Sequence, residues 1–108
     1  VYALYLEEAR TEQMRSKGIT YKEMEVNGLI LPVRSMSFEF KKAARYDDLL
    51  SFEVWIPEKP TIRCVFHYRI LNQQGELLST ATTEMFYARK SDLKPVKVPQ
   101  EIIDKYEF

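Results

Sequence analysis

Apolar residues recur along this chain at two different periods, and the change from one to the other comes just after Gly28. Residues 2 to 16 carry Tyr2, Tyr5, Leu6 and Ala9 at helical spacing. Gly18 follows where a helix ends on a residue able to take the left-handed conformation, so a helix over 2–16 is predicted. Its acidic residues, Glu7, Glu8 and Glu12, precede Arg15 and Lys17, an order that complements the helix dipole. Glu7 with Arg10 and Glu12 with Arg15 stand three apart, the spacing of surface ion pairs. Thr20-Tyr21-Lys22-Glu23 has the form of a capping box, which predicts a short second helix closed by Asn27-Gly28.

From Leu29 the period becomes two. Met36, Phe38 and Phe40 share one strand face, while Leu29, Leu31 and Val33 have the opposite parity, so the phase slips near Pro32 to Ser35 and a bulge or bend is expected there. Leu50, Phe52, Val54 and Ile56 define a second face, ended by the turn Glu58-Lys59-Pro60. Ile62, Cys64, Phe66, Tyr68 and Ile70 define a third, with Arg63, His67 and Arg69 on its other side. Asn72-Gln73-Gln74-Gly75 reads as a hairpin turn, and a fourth strand is predicted from about Glu76 to Ala88. A basic loop then leads to Pro99, well suited to open a terminal helix through Tyr106. The order of helix, short helix, four strands and terminal helix implies an α+β architecture, an antiparallel sheet packed on one long helix, with residues 1–108 forming one domain.

Composition narrows the function classes. Sixteen Lys and Arg balance sixteen Asp and Glu, so no overall field draws in polyanions, and nucleic acid is not an expected partner. Any anion site must be local. The single cysteine, Cys64, can form no disulfide within the chain and fits a reducing, cytoplasmic setting. The single His67 rules out a site built on several histidines, so no metal is expected. No apolar run approaches the roughly 20 residues of a membrane-spanning helix, and no membrane partner is expected.

Two segments carry a resemblance. The helix opening Tyr2-Ala3-Leu4-Tyr5-Leu6-Glu7-Glu8-Ala9-Arg10 and the later run Ala44-Arg45-Tyr46-Asp47-Asp48-Leu49-Leu50 stand in the order in which the 4-hydroxybenzoyl-CoA thioesterase family reads Asn-Tyr-Leu-x-Tyr-x-Glu-x-x-Arg and then Pro-Ala-x-Tyr-Asp-Asp-x-Leu. The chain resembles that family over nearly its whole length. The resemblance implies a hot-dog fold, the sheet wrapped around the long helix, with a further first strand ahead of Val1. It also implies a homodimer or homotetramer binding acyl-CoA between subunits, and thioester hydrolysis without a cofactor. The family keeps its catalytic aspartate just before the long helix, so that residue is expected upstream of Val1.

Hydrolysing a thioester needs an activated water or a carboxylate nucleophile, together with donors for the developing oxyanion, and the amides at a helix start can serve as donors. Glu7, at the family's recurrent acidic helix position, is the candidate carboxylate within the chain, against the commoner role of a solvated helix residue. Asp47 and Asp48 look like an acid/base pair, but adjacent residues in a turn point apart and Asp commonly closes turns through its own backbone, so a structural role is expected. Tyr2, Leu6 and Met36 are candidates for the acyl pocket. The phosphates of coenzyme A call for Lys and Arg, and two groups qualify: Lys59 with Arg63, and the loop carrying Arg89, Lys90, Lys94 and Lys97. His67 falls on the Arg63 and Arg69 face and is expected to be exposed or at an interface. Cys64 is expected in the core, and Trp55, opposite in parity to Phe52 and Val54, at a subunit contact.

The sequence therefore points to an acyl-CoA thioesterase acting on a fatty or aromatic acyl-CoA. The alternative is a hot-dog module that binds acyl groups or acyl-CoA without catalysis. Dehydration or hydration of an acyl thioester fits less well, because hot-dog enzymes of that kind pair a His with a carboxylate and His67 lies on the wrong element.

Overall fold

A computed structural model describes residues 2–106, with the backbone alone described at Tyr2. Helix α1 spans Tyr2–Ser16 and α2 spans Tyr21–Val26. The strands are β1 Leu29–Ile30, β2 Val33–Phe40, β3 Ser51–Trp55, β4 Arg63–Leu71, β5 Leu77–Phe86 and β6 Ala88–Arg89, and α3 Gln100–Tyr106 ends the fold. The strands β2, β5, β4 and β3 form one antiparallel sheet in that order, while β1 and β6 pair separately.

The helix boundaries follow from local chemistry. Gly18 takes φ 79°, and Ile19 N–H reaches back to the Met14 carbonyl at 2.9 Å, which satisfies a carbonyl the helix end leaves open. Thr20 accepts a hydrogen bond from Glu23 N–H at 3.1 Å through its hydroxyl and so caps α2. Asn27 and Gly28 close α2, with Gly28 at φ 78°.

The sheet departs from the expected four strands in two places. The run from Leu29 to Phe40 divides at Pro32, which has no N–H for a ladder; β1 pairs with β6, and only beyond it does β2 join β5. The expected phase slip appears as a register shift between Val33 and Ser35. The final long strand stops at Phe86, because Tyr87 N–H crosses to the Ile62 carbonyl at 2.8 Å. The strand expected ahead of Val1 lies outside the described residues.

Cys64, Phe66, Tyr68 and Ile70 on β4 share their face of the sheet with Ala81, Thr83 and Met85 on β5, and all are buried. Leu6, Arg10 and Met14 meet this face from α1 at intervals of one turn. The buried stripe differs from the one expected: Tyr5 is largely exposed, its ring 5.7 Å from that of Phe52, and Ala9 is half-buried. Glu12 does pair with Arg15, but Arg10 turns inward and forms no pair with Glu7. Lys105 of α3 donates to the Gly18 carbonyl at 2.9 Å and ties the last helix to the end of α1.

The β4–β5 hairpin turn falls where the sequence predicts it, and Asn72 organises it. Asn72 is buried, its side-chain oxygen accepts from Gln74 N–H and Glu76 N–H at 3.0 Å each, and Gly75 supplies the positive φ that the turn requires.

Candidate functional site

The candidate residues fall in separate places around the sheet. Lys59 and Arg63 line a cavity of about 290 Å³ together with Thr61, Val65 and His67, at the turn leading into β4. The turn sets Lys59 and Arg63 on one rim because β4 begins at Arg63 with its apolar partners, from Cys64 on, facing inward. Arg63 is not free: its Nε lies 3.2 Å from Glu84, which also faces Arg34 at 3.5 Å. His67 is half-buried on the same outer face, as expected, and its ring sits 5.8 Å from the ring of Trp55.

The second basic group is likewise partly committed to its own neighbours. Arg89 donates to both carboxylate oxygens of Asp92, at 3.1 and 2.8 Å, and Lys90 pairs with Glu25 at 2.9 Å. The hydrogen bonds from Arg89 lower the pKa of Asp92. Two charges of this loop are thus neutralised in place, whereas Lys59 has no ion-pair partner among the described residues.

Glu7 is exposed, consistent with a solvated helix residue, and it lines a cavity of about 300 Å³ whose other walls include Arg10, Tyr21, Leu31, Val33 and Met85. Leu6 lies wholly inside the core, and Met36 is 38% exposed on β2. The side chain of Tyr2 is outside the described residues. The proposed acyl-lining set is therefore not gathered around one cavity among the described residues. Met36 nevertheless shares its sheet face with Phe38 and Phe40, and that face is incompletely covered.

Asp47 and Asp48 do not form a paired-carboxylate site. Asp48 accepts from Arg45 N–H at 2.7 Å through its side chain, and its own N–H donates to the Arg45 carbonyl at 3.1 Å, so it closes the turn before β3. Cys64 is buried, and burial pushes its thiol up to about 11. Trp55 is 39% exposed on the outer face, with the Arg69 guanidinium 6.0 Å from its ring centre. Among the described residues no three His, Cys, Asp or Glu side chains gather as a metal site requires.

What sequence reading missed is Arg10. It is 5% exposed, and donates from Nε to the Tyr21 hydroxyl and from Nη1 to the Tyr68 hydroxyl, each at 3.1 Å. The Tyr68 hydroxyl also bonds Thr83 Oγ1 at 2.7 Å. Two signals were available: Arg10 stands one turn beyond Leu6 and one turn before Met14, and it occupies the Arg position of the family's helix motif.

A model of the thioesterase-like superfamily matches residues 1–106. The chain is 29% identical over 96 residues to a putative acyl-CoA thioesterase, YneP, of Bacillus subtilis, covering 89% of this chain and 70% of that protein. It is 27% identical over 106 residues to the acyl-CoA thioester hydrolase YbgC of Escherichia coli, covering 98% and 79%. The crystal structure of a DHNA-CoA thioesterase from Staphylococcus aureus superposes with a TM-score of 0.85 at 30% identity, over 98% of this chain and 71% of that one. These likenesses bear out the expected family resemblance and the hot-dog fold, an antiparallel sheet wrapped around α1.

Proposed function

Because this chain belongs to the thioesterase-like superfamily, we propose that it hydrolyses the thioester of a fatty or aromatic acyl-CoA to the free acid and CoA. The observation that carries this reading is the match over residues 1–106, which also supports treating residues 1–108 as one working unit. In the reaction, water adds to the thioester carbonyl and gives up a proton to a carboxylate. The carbon–sulfur bond then breaks, and the proton passes to the departing thiolate. Amides at the start of α1 suit the role of donors to the carbonyl oxygen as charge develops there. Glu7 is the candidate carboxylate on α1, and the aspartate expected ahead of Val1 is the other.

The cavity at Lys59 and Arg63 suits the nucleotide phosphates of CoA, since it gathers both residues on one rim and Lys59 has no ion-pair partner among the described residues. The uncovered face at Met36 suits the acyl group. Exposed Trp55 supports self-association through the outer face of the sheet as a dimer or tetramer, and a monomeric mass by light scattering at micromolar concentration counts against it. No helix of the described residues is long and apolar enough to cross a membrane. A reducing, cytoplasmic setting suits the single free Cys64.

The experiment is thiol release from acyl-CoA substrates with no added metal, for which hydrolysis is expected. Activity abolished by a chelator and restored by a divalent ion contradicts the metal-free reading. One observation favours the non-catalytic alternative: among the described residues no carboxylate is buried, the buried polar side chains being Arg10, Asn72, Ser79 and Thr83. Saturable binding of acyl-CoA with no thiol release selects that alternative.

A further inference from the structure

Arg10 is the one charged side chain buried among the described residues, and no carboxylate stands within ion-pair distance of it there. Its partners are hydroxyls: Tyr21 on α2, and Tyr68 at the centre of the sheet, itself held by Thr83 on β5. Burial works against the charge, the two phenol oxygens favour it, and the balance leaves the guanidinium more firmly protonated than an ordinary arginine. A charge buried without a carboxylate partner carries a desolvation cost that hydrogen bonds to neutral hydroxyls offset only in part. Adhesion alone therefore does not account for an arginine here. Leu6 and Met14, one turn to either side, already hold α1 against the sheet by apolar contact.

Apolar contact is non-directional and permits a helix to slide or roll. A guanidinium is a rigid planar fork, and two hydrogen bonds from it to separate elements fix both the roll of α1 and its position along its axis. We propose that Arg10 is a positioning residue, setting α1 in register with Tyr68 on the sheet and Tyr21 on α2 so that the opening turn of the helix is correctly placed against the thioester. This rests on the thioesterase reading for its consequence in catalysis, but not for its geometry. The far end of α1 has its own tether, through Lys105 to the Gly18 carbonyl. Arg10 is the corresponding restraint nearer the opening turn. A displacement of about 1 Å in a reacting constellation costs up to about a hundredfold in rate, so the restraint acts on turnover more than on binding.

The test compares Arg10→Met, Arg10→Lys, Tyr68→Phe and Tyr21→Phe with the parent chain, by thiol release and by amide hydrogen exchange. For Arg10→Met the expected result is a folded chain with kcat reduced at least about tenfold and KM nearly unchanged. Arg10→Lys, which keeps the charge but loses the fork, recovers only part of the rate. Tyr68→Phe and Tyr21→Phe lower kcat in the same direction, and adding Tyr68→Phe to Arg10→Met lowers it little further. Amides of α1 exchange faster in Arg10→Met and Tyr68→Phe, while those of β4 and β5 do not. A kcat within about twofold of the parent in Arg10→Met, or unchanged exchange in α1, overturns the proposal. If Arg10→Met does not fold, Tyr68→Phe decides by the same two criteria. If the parent chain releases no thiol, the thioesterase reading falls by itself, and exchange in α1 alone decides the positioning role.

Discussion

Strands β4 and β2 carry the same alternation of apolar and polar residues and belong to the same sheet, yet they meet opposite fates. On β4 the apolar face of Cys64, Phe66, Tyr68 and Ile70 is wholly enclosed. On β2 the equivalent face leaves Phe40 67% exposed and Met36 38% exposed, with only Phe38 packed against the core. The difference lies in the neighbours. β4 has β5 and β3 on its two sides and α1 above it, whereas among the described residues β2 pairs with β5 alone. Alternation specifies which way side chains point; enclosure depends on what the rest of the chain brings over them.

The comparison can be broken most severely at Phe66. Phe66→Ala is expected to cost about 3–5 kcal/mol in denaturant unfolding, because the cavity it opens cannot collapse under α1. A loss near 1 kcal/mol would mean that β4 is no better enclosed than β2.

The next effect is one of pH. Burial pushes the Cys64 thiol up from the ordinary 9.0 to about 11. An acid whose folded pKa is raised contributes stability that is complete below the unfolded pKa and is lost as pH rises through the folded one. The stability of the parent chain relative to Cys64→Ala should therefore fall by about 2–3 kcal/mol between pH 9 and pH 11, and hold steady from pH 6 to 8. Denaturation curves of both proteins across this range measure it. A constant difference would place the thiol in contact with solvent.

The outer side of β4 sharpens the contrast in function. Lys59→Ala with Arg63→Ala is expected to raise KM with little change in kcat, each lost phosphate contact being worth roughly 1–3 kcal/mol, and less where solvent screens it. A substrate shortened to the pantetheine arm should be insensitive to the change. Equal losses on both substrates would assign the pair a structural part, and a selective loss from Arg89→Ala with Lys90→Ala would move the phosphate site to the later loop.

The smallest effect is expected on β2. Phe40→Ser should change unfolding free energy by less than about 1 kcal/mol, since most of that ring is already in water. Its stacking on Phe38, with ring centres 5.8 Å apart, is the contact most directly lost. A cost as large as that of Phe66→Ala would show that another surface covers β2 in solution.

Features governed by neighbours in sequence were legible. The bounds of α1, the Thr20 cap, the closing Asn27-Gly28 pair, the slip between Val33 and Ser35 and the Asn72–Gly75 turn all depend on a few adjacent residues. Features governed by distant partners were not. Arg10 stands where it could pair with Glu7, and only the arrival of Tyr68 and Tyr21 draws it inward. That β1, once cut off at Pro32, pairs with β6 depends on a segment much later in the chain. For the candidate site, the preference for Lys59 over Arg89 and Lys90 became visible only once Asp92 and Glu25 were found beside the latter two.

The Asn72 turn has a consequence for the order in which the molecule assembles. It joins β4 to β5 through a short loop whose amides are held by its own side chain, so the entropy lost in closing that loop is small. Pairing Phe38 with Ala81, by contrast, requires a long intervening stretch to close first. The β4–β5 hairpin is accordingly the natural nucleus, with β2 added late. Changes at Asn72 then act chiefly on how fast the chain folds, and changes in β2 chiefly on how fast it comes apart.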